Sequence, residues 1–199
     1  MNNKVKDKDN KINMIDCKCC KLLSWDYLTP EKRYYVDKSK DPRKAGGILI
    51  YKGRVLLVQS RGNKWGFPKG GFEGREDARK CAIREVLEET SFNISISKED
   101  MKVKYNDTSF FIKHLTTQPP EVDEAFLKTP GNDCTGIGWV RLTCLRKMVN
   151  KATNKATNKA TNTAKDDDLT NKLESLEIGD EMMFNSGIRK FVSEYLKKK

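Results

Sequence analysis

The segment Gly70–Phe92 constrains this chain more than any other. It sets Gly70, then Glu76 after five residues, then Arg84, Glu85, Val86, Leu87, Glu88, Glu89, Thr90, Ser91 and Phe92 after seven more. The spacing predicts a helix over about residues 77–90 behind a glycine-rich loop, because Ala78, Cys81, Ala82, Val86 and Leu87 approximate an apolar stripe of helical period. At about 100° per residue, Glu85, Glu88 and Glu89 fall in one narrow sector of that helix. Carboxylates crowded in this way repel one another, and a helix carries them most readily beside a cation. Oxygen donors of this kind suit Mg²⁺ or Mn²⁺, which complete their shells with water and substrate phosphate. Arg84 can pair with Glu76 and hold the loop against the helix, while the glycines let backbone approach metal and phosphate closely.

The flanking sequence supplies strands. GGILIY and RVLLVQ read as a pair joined by a tight turn at Lys52-Gly53. FNISI and TSFFIKHL read as two more, the second rich in β-branched and aromatic residues. GIGWVRL reads as a buried strand and TCLRKMV as a short helix. Between TSFFIKHL and GIGWVRL lies TTQPPEVDEAFLKTPGNDC, a long loop with three prolines, and loops of that length inside a domain are often functional.

The 199 residues suffice for one domain with a core, plus tails. With 37 % apolar and 34 % charged residues, the chain divides into a folded centre and polar additions. We divide it into a flexible basic arm (1–40), a catalytic domain (41–150), a low-complexity insertion or linker (151–172) in which KATN occurs three times, and a C-terminal helix (173–199). In that helix Met183, Ile188, Phe191, Val192, Tyr195 and Leu196 can share one broad face that packs on the domain, with Arg189 and Lys190 elsewhere. The net charge of +11 favours polyanionic partners (RNA, nucleotides, inositol polyphosphates, an anionic membrane surface) without choosing among them. No run of about 20 apolar residues is present, so no membrane span is expected. The first residues lack a secretory pattern, and the six cysteines show no disulfide framework, which points to a reducing, cytoplasmic compartment. Cys17, Cys19 and Cys20 are either a fragment of a zinc site or plain thiols, since no second matched pair accompanies them. His114 is the sole histidine, and no Ser-His or Cys-His nucleophile system is suggested.

The spacing from Gly70 to Phe92 resembles the Nudix box, GX₅EX₇REUXEEXGU with U apolar. Gly70, Glu76, Arg84, Glu85, Val86, Glu88, Glu89 and Phe92 match, and Ser91 departs by replacing the last glycine. The resemblance implies an α/β/α sandwich around a mixed β-sheet and hydrolysis of a nucleoside diphosphate linked to another moiety. It implies that Glu85, Glu88 and Glu89 bind Mg²⁺ or Mn²⁺ together with the Gly71 carbonyl, and that Arg84 and Glu76 form a structural salt bridge. The departing position sits where the helix ends, in an expected left-handed conformation that costs serine about 1 kcal/mol.

WGFPKGG before the box and CAIREVLEETSFNI through it resemble the catalytic subunit of the eukaryotic mRNA decapping enzyme and the decapping enzymes of large DNA viruses. The likeness is good over about residues 46–96. It implies capped RNA as partner and release of m⁷GDP. It also aligns Asp133 with a glutamate acting as general base; Glu121, Asp123 and Glu124 in the same loop compete for that role. The basic C-terminal helix resembles one that binds the RNA body, through Arg189 and Lys190, or is simply a packed terminal helix. Trp25, Tyr34, Tyr35, Trp65, Phe110 and Phe111 are candidates for stacking on a methylated guanine. Lys69 can contact phosphate or lie in solvent, as can Lys64 and Arg75. About forty residues precede the first expected strand, too few for the helical regulatory domain of the cellular enzyme, so no protein partner is evident. The Asn/Lys-rich composition suits a large DNA virus, with action in the host cytoplasm, or an AT-rich protist. Two other readings stay open: a hydrolase of diphosphoinositol or dinucleoside polyphosphates, and a catalytically silent RNA-binding protein on this scaffold.

Overall fold

The computed structural model describes residues 20–24, 43–60, 64–121, 123, 125, 134–150 and 183–198. Lys44–Tyr51 (β2) and Arg54–Ser60 (β3) form the expected hairpin. Its turn residues Lys52 and Gly53 have φ of 44° and 72°, and two left-handed residues match the twist of the flanking strands. Strand β3 pairs antiparallel with Gly136–Arg141 (β8), which carries Lys21–Ser24 (β1) on its far side. On the other flank β2 runs parallel to Thr108–His114 (β7), in register from Lys44↔Thr108 to Ile50↔His114, and β7 pairs antiparallel with Met101–Tyr105 (β6). The long path is β1-β8-β3-β2-β7-β6. One edge of β2 is shared: Ile50 and Tyr51 bond β3, while Lys44, Ala45 and Gly46 bond the short strand Lys69–Gly71 (β5). Lys64–Gly66 (β4) pairs with β3, and Met183–Phe184 (β9) runs parallel to β4. The mixed sheet of an α/β fold is therefore present.

Alternation along the strands splits the core between two faces. On one face Ala45, Leu49, Leu56, Val58 and Phe111 meet Cys81, Ala82 and Val86 of helix α1, Ala78–Thr90. Close packing there has a visible cause: a Cβ on Gly47 would lie 2.6 Å from Val86 Cγ2, so only glycine lets the helix settle on β2. On the other face Ile48, Ile50, Val55, Leu57, Phe110 and Ile112 meet Leu145 and Val149 of helix α2 (residues 142–150) and the C-terminal segment. That segment is a short helix α3 (Ser186–Lys190), a π-helical turn (Phe191–Tyr195) and a 3₁₀ turn (Leu196–Lys198). None of the described helices is long and apolar enough to cross a membrane.

Four elements differ from the sequence expectations. FNISI forms no strand; Phe92 and Ile96 are buried plugs on the α1 face, so their alternation reflects burial without a ladder. The missed strand is β6, whose Met101, Lys102 and Lys104 are exposed because it is a sheet edge. Lys21–Ser24, placed within the expected arm, is β1, and its Leu22 is buried. The continuous C-terminal helix instead begins with strand β9 at Met183–Phe184. The KATN stretch, Cys17 and Cys19 lie outside the described residues.

Candidate active site

Helix α1 has defined ends. Asp77 caps its start, with Oδ1 accepting from the N–H groups of Arg79 (2.8 Å) and Lys80 (2.9 Å). Ser91 ends it at φ 61°, and its N–H donates to the Leu87 carbonyl at 2.8 Å. Thr90 locks the exit: its hydroxyl donates to the Val86 carbonyl and accepts the Phe92 N–H at 3.1 Å. These caps fix the helix along its axis and set Glu85, Glu88 and Glu89 opposite β5.

Arg84 joins loop, strand and helix. Its guanidinium donates to both Glu76 oxygens, Nη2 to Oε1 at 2.7 Å and Nε to Oε2 at 3.3 Å. Nη2 also donates to the Gly71 carbonyl at 2.7 Å. Nη1 reaches Glu85 Oε1 at 2.7 Å and Glu88 Oε2 at 3.0 Å. Glu76 is fixed in turn by the Glu73 N–H at 2.7 Å. At the far end of the seam the Lys69 N–H donates to Glu89 Oε2 at 2.9 Å. Glu85 is buried, and a Cβ on Gly70 would sit 2.2 Å from its carboxylate, so the glycine creates the space this side chain fills.

The electrostatics follow from this crowding. Partial desolvation lifts the carboxyl of the half-exposed Glu88 above the usual range, Glu73 and Glu76 push it the same way, and Arg84 opposes them. Burial also works to raise Glu76, but the hydrogen bonds from Arg84 and the Glu73 N–H prevail and hold it low. Arg84 is held charged: burial opposes this, and Glu76 and Glu85 outweigh it. Desolvation, with Glu76 and Glu85 nearby, pushes the Cys81 thiol up to about 12. It therefore stays protonated and donates to the Gly71 carbonyl at 3.4 Å.

The structure thus brings together Glu76, Arg84, Glu85, Glu88, Glu89, Gly71 and the backbone of Lys69. Among the described residues no three acidic, thiol or imidazole groups converge tightly on one point, because Arg84 lies between the carboxylates. The donor set is nonetheless all oxygen, three carboxylates and one carbonyl along a single seam, which is the chemistry of a hard divalent cation. Trp65, Phe110 and Phe111 are 4 %, 1 % and 4 % exposed. Trp65 is buried in the core cluster that also holds Leu145, Val149 and Ile188. Arg189 and Lys190 are half-buried in the last turn of α3. Glu121 and Asp123 are exposed, and Asp133, Glu124, Trp25, Tyr34 and Tyr35 lie outside the described residues. Sequence reasoning missed the Lys69 N–H, since a backbone donor leaves no residue-type signal.

A model of the NUDIX domain matches residues 41–159. The chain belongs to the Nudix family and is a Nudix hydrolase. Its relatives include the protein called "Putative hydrolase 111R" of Invertebrate iridescent virus 3, 33 % identical over 148 residues, which are 70 % of this chain and 84 % of that protein. mRNA-decapping enzyme subunit 2 of Arabidopsis thaliana is 31 % identical over 100 residues, 49 % of this chain and 27 % of the plant protein. The m7GpppN-mRNA hydrolase dcap-2 of Caenorhabditis elegans is 49 % identical over 62 residues, 29 % of this chain and 8 % of the worm protein. The chain thus spans most of the viral relative and only a fraction of the two decapping proteins.

Proposed function

We propose that this Nudix enzyme is an mRNA decapping hydrolase that releases m⁷GDP from capped RNA. The observation that carries the substrate is the 49 % identity, over 62 residues, with an m7GpppN-mRNA hydrolase. The net charge of +11 supports a polyanionic substrate. Glu85, Glu88, Glu89 and the Gly71 carbonyl would hold a divalent cation, Mg²⁺ or Mn²⁺. Bound there, the cation supplies neutralisation of the phosphate bridge and a more acidic water.

The chain's own residues do the positioning. Arg84 keeps the Gly71 carbonyl and Glu76 in place, so the loop before α1 cannot swing away from the helix. The Lys69 N–H fixes the orientation of Glu89. Water attacks phosphorus, the bond to the bridging oxygen breaks, and a carboxylate takes the water's proton. We assign that carboxylate to Asp133, with Glu121, Asp123 and Glu124 as competitors in the same loop. The products are m⁷GDP and RNA with a 5′-monophosphate.

The test incubates the protein with cap-labelled RNA, free cap analogue and a diphosphoinositol polyphosphate, each with Mg²⁺ or Mn²⁺. Release of m⁷GDP from RNA, in preference to free cap analogue, is expected. Cleavage of the inositol compound alone overturns the substrate, and RNA binding without turnover on anything overturns catalysis. Glu89→Gln should lower kcat by at least about 100-fold, the scale on which lost electrostatic stabilisation is read; retained turnover refutes the role of Glu89.

A further inference from the structure

Helix α1 covers β2 and the middle of the sheet but leaves the β6 edge bare. A cavity of about 580 Å³ opens there, lined in part by Arg43, Lys44, Phe72, Lys102, Lys104 and Ser109. It adjoins the catalytic loop directly: Phe72 follows Gly71, and Glu76 and Asp77 form its wall on the helix side.

The chemistry of the lining is that of a strand-binding groove. Lys102 pairs across from Phe111 and Lys104 from Ser109, so both side chains stand on the α1 face of the edge strand. Two residues apart on a strand, they are about 6.6 Å apart along it, a separation comparable to that of successive phosphates in an extended chain. The Arg43 guanidinium lies 4.9 Å from the centre of the Phe72 ring, which is half exposed. Positive charge continues past the rim. Arg79 and Lys102 both lie over the Phe111 ring, at 6.0 and 5.8 Å, and Arg79 Nε is buried without a hydrogen-bond partner. The first turn of α1 holds no acidic residue and carries Arg79 and Lys80, the reverse of what its dipole favours. Three acids also line the cavity. Glu76 is gripped by Arg84 and Asp77 by two backbone N–H groups, and Asp107 stands at the β6–β7 turn.

We propose that this cavity binds the body of a single-stranded RNA, with Lys102 and Lys104 on successive phosphates and the Phe72–Arg43 pair stacking a base. Cationic side chains interleaved with an aromatic face are how single strands are held without sequence preference. The proposal rests on the decapping reading for its biological substrate, because an RNA held at the catalytic seam must leave it along some surface. From Glu89 to Ala78 the helix spans about 16 Å, so nucleotides downstream of the cap reach the cavity and the cap itself does not.

The experiment measures fluorescence anisotropy of an uncapped RNA of about 12 nucleotides, within the size range of single-strand sites, on the full chain across a salt series. Lys102→Gln/Lys104→Gln should weaken binding roughly tenfold at low salt and reduce the slope of log affinity against log salt by about 1.4, the loss of two single-strand phosphate contacts. Lys102→Glu/Lys104→Glu should weaken it further, and Phe72→Leu should weaken binding without changing the slope. On capped RNA of the same length, kcat/KM of the lysine variants should fall about tenfold more than on a capped dinucleotide. Both lysines are exposed on an edge strand, and an unaltered thermal midpoint verifies folding. Unchanged affinity and slope overturn the site. If the parent chain cleaves no capped RNA while the variants still lose affinity for the uncapped strand, the site stands and the decapping reading falls.

Discussion

Two side chains show how closely residue chemistry and site geometry are tied. Ser91 adopts φ 61°, a conformation that costs a residue with a Cβ but not glycine. Ser91→Gly should therefore stabilise the protein by about 1 kcal/mol and raise the thermal midpoint by roughly 2–4 °C. Turnover should hardly change, since the serine acts by ending the helix; a large change in kcat would place it in the site. Arg84 is the opposite case. Its planar fork grips both oxygens of Glu76 while reaching the Gly71 carbonyl, Glu85 and Glu88. A lysine has the charge without the fork. Arg84→Lys should cost about 2 kcal/mol of stability, as lost hydrogen bonds to charged groups do, and should also lower kcat. Denaturant melts read the first effect and single-turnover kinetics the second.

At the scale of elements, α1 is held by its neighbours rather than by propensity alone. The stretch after it, residues 91–97, carries buried Phe92 and Ile96 yet bonds to no strand. Its far end is fixed by Asp100, which accepts the Ser97 N–H at 2.7 Å and pairs with Lys113 of β7 at 3.0 Å. Burial works to raise the Asp100 carboxyl, but the Ser97 N–H and the Lys113 ammonium prevail and hold it below the usual range. A carboxyl lowered on folding adds stability above its unfolded value near pH 4, and that contribution is lost as pH falls through the folded value. Asp100→Asn should thus cost about 1 kcal/mol at pH 7. Its difference from the parent should shrink as pH falls below about 4, as chemical denaturation at a series of acidic pH values would show. A constant difference across that range would mean the pair contributes nothing through charge.

The whole molecule joins its C-terminus to the catalytic loop. Phe191 is fully buried; its ring meets Phe67 edge-on at 5.3 Å and stacks on Tyr195 at 4.9 Å. Phe67 lies between β4 and β5, β9 pairs with β4, and the Asn185 N–H donates to the Trp65 carbonyl at 3.0 Å. Arg146 of α2 donates to the Leu196 carbonyl, closing the segment from the other side. Phe191→Ala should cost about 4 kcal/mol and lower the thermal midpoint by roughly 10 °C. Near that midpoint, short and long substrates should suffer equally, because the C-terminal segment supports the loop that presents Lys69 and Gly71. A loss confined to long RNA would instead assign this segment to RNA binding through Arg189 and Lys190.

Local rules were enough for much of this protein. The β2–β3 hairpin with its tight turn, β7, β8 and the span of α1 follow from turn chemistry, strand composition and helical period, and the left-handed Ser91 from its place at the glycine position of the box. The box spacing identified the glutamates that share a helix face and the Arg84–Glu76 pair, and with them the Nudix family. Other features were legible only in three dimensions. Strand β6 looks polar because it is an edge, β4, β5 and β9 are too short for any period to register, and FNISI buries its apolar residues without a ladder. Trp65 is one of six stacking candidates in sequence, and its burial in the core became visible only through tertiary packing. The contact between the Lys69 N–H and Glu89 depends on a backbone atom common to nearly every residue type. The basic cavity draws on β2, β6 and the loop after β5, which only the parallel pairing of β2 with β7 brings together. Periodicity reports what a residue's own element requires, whereas a site assembled across elements depends on register, which no single segment encodes.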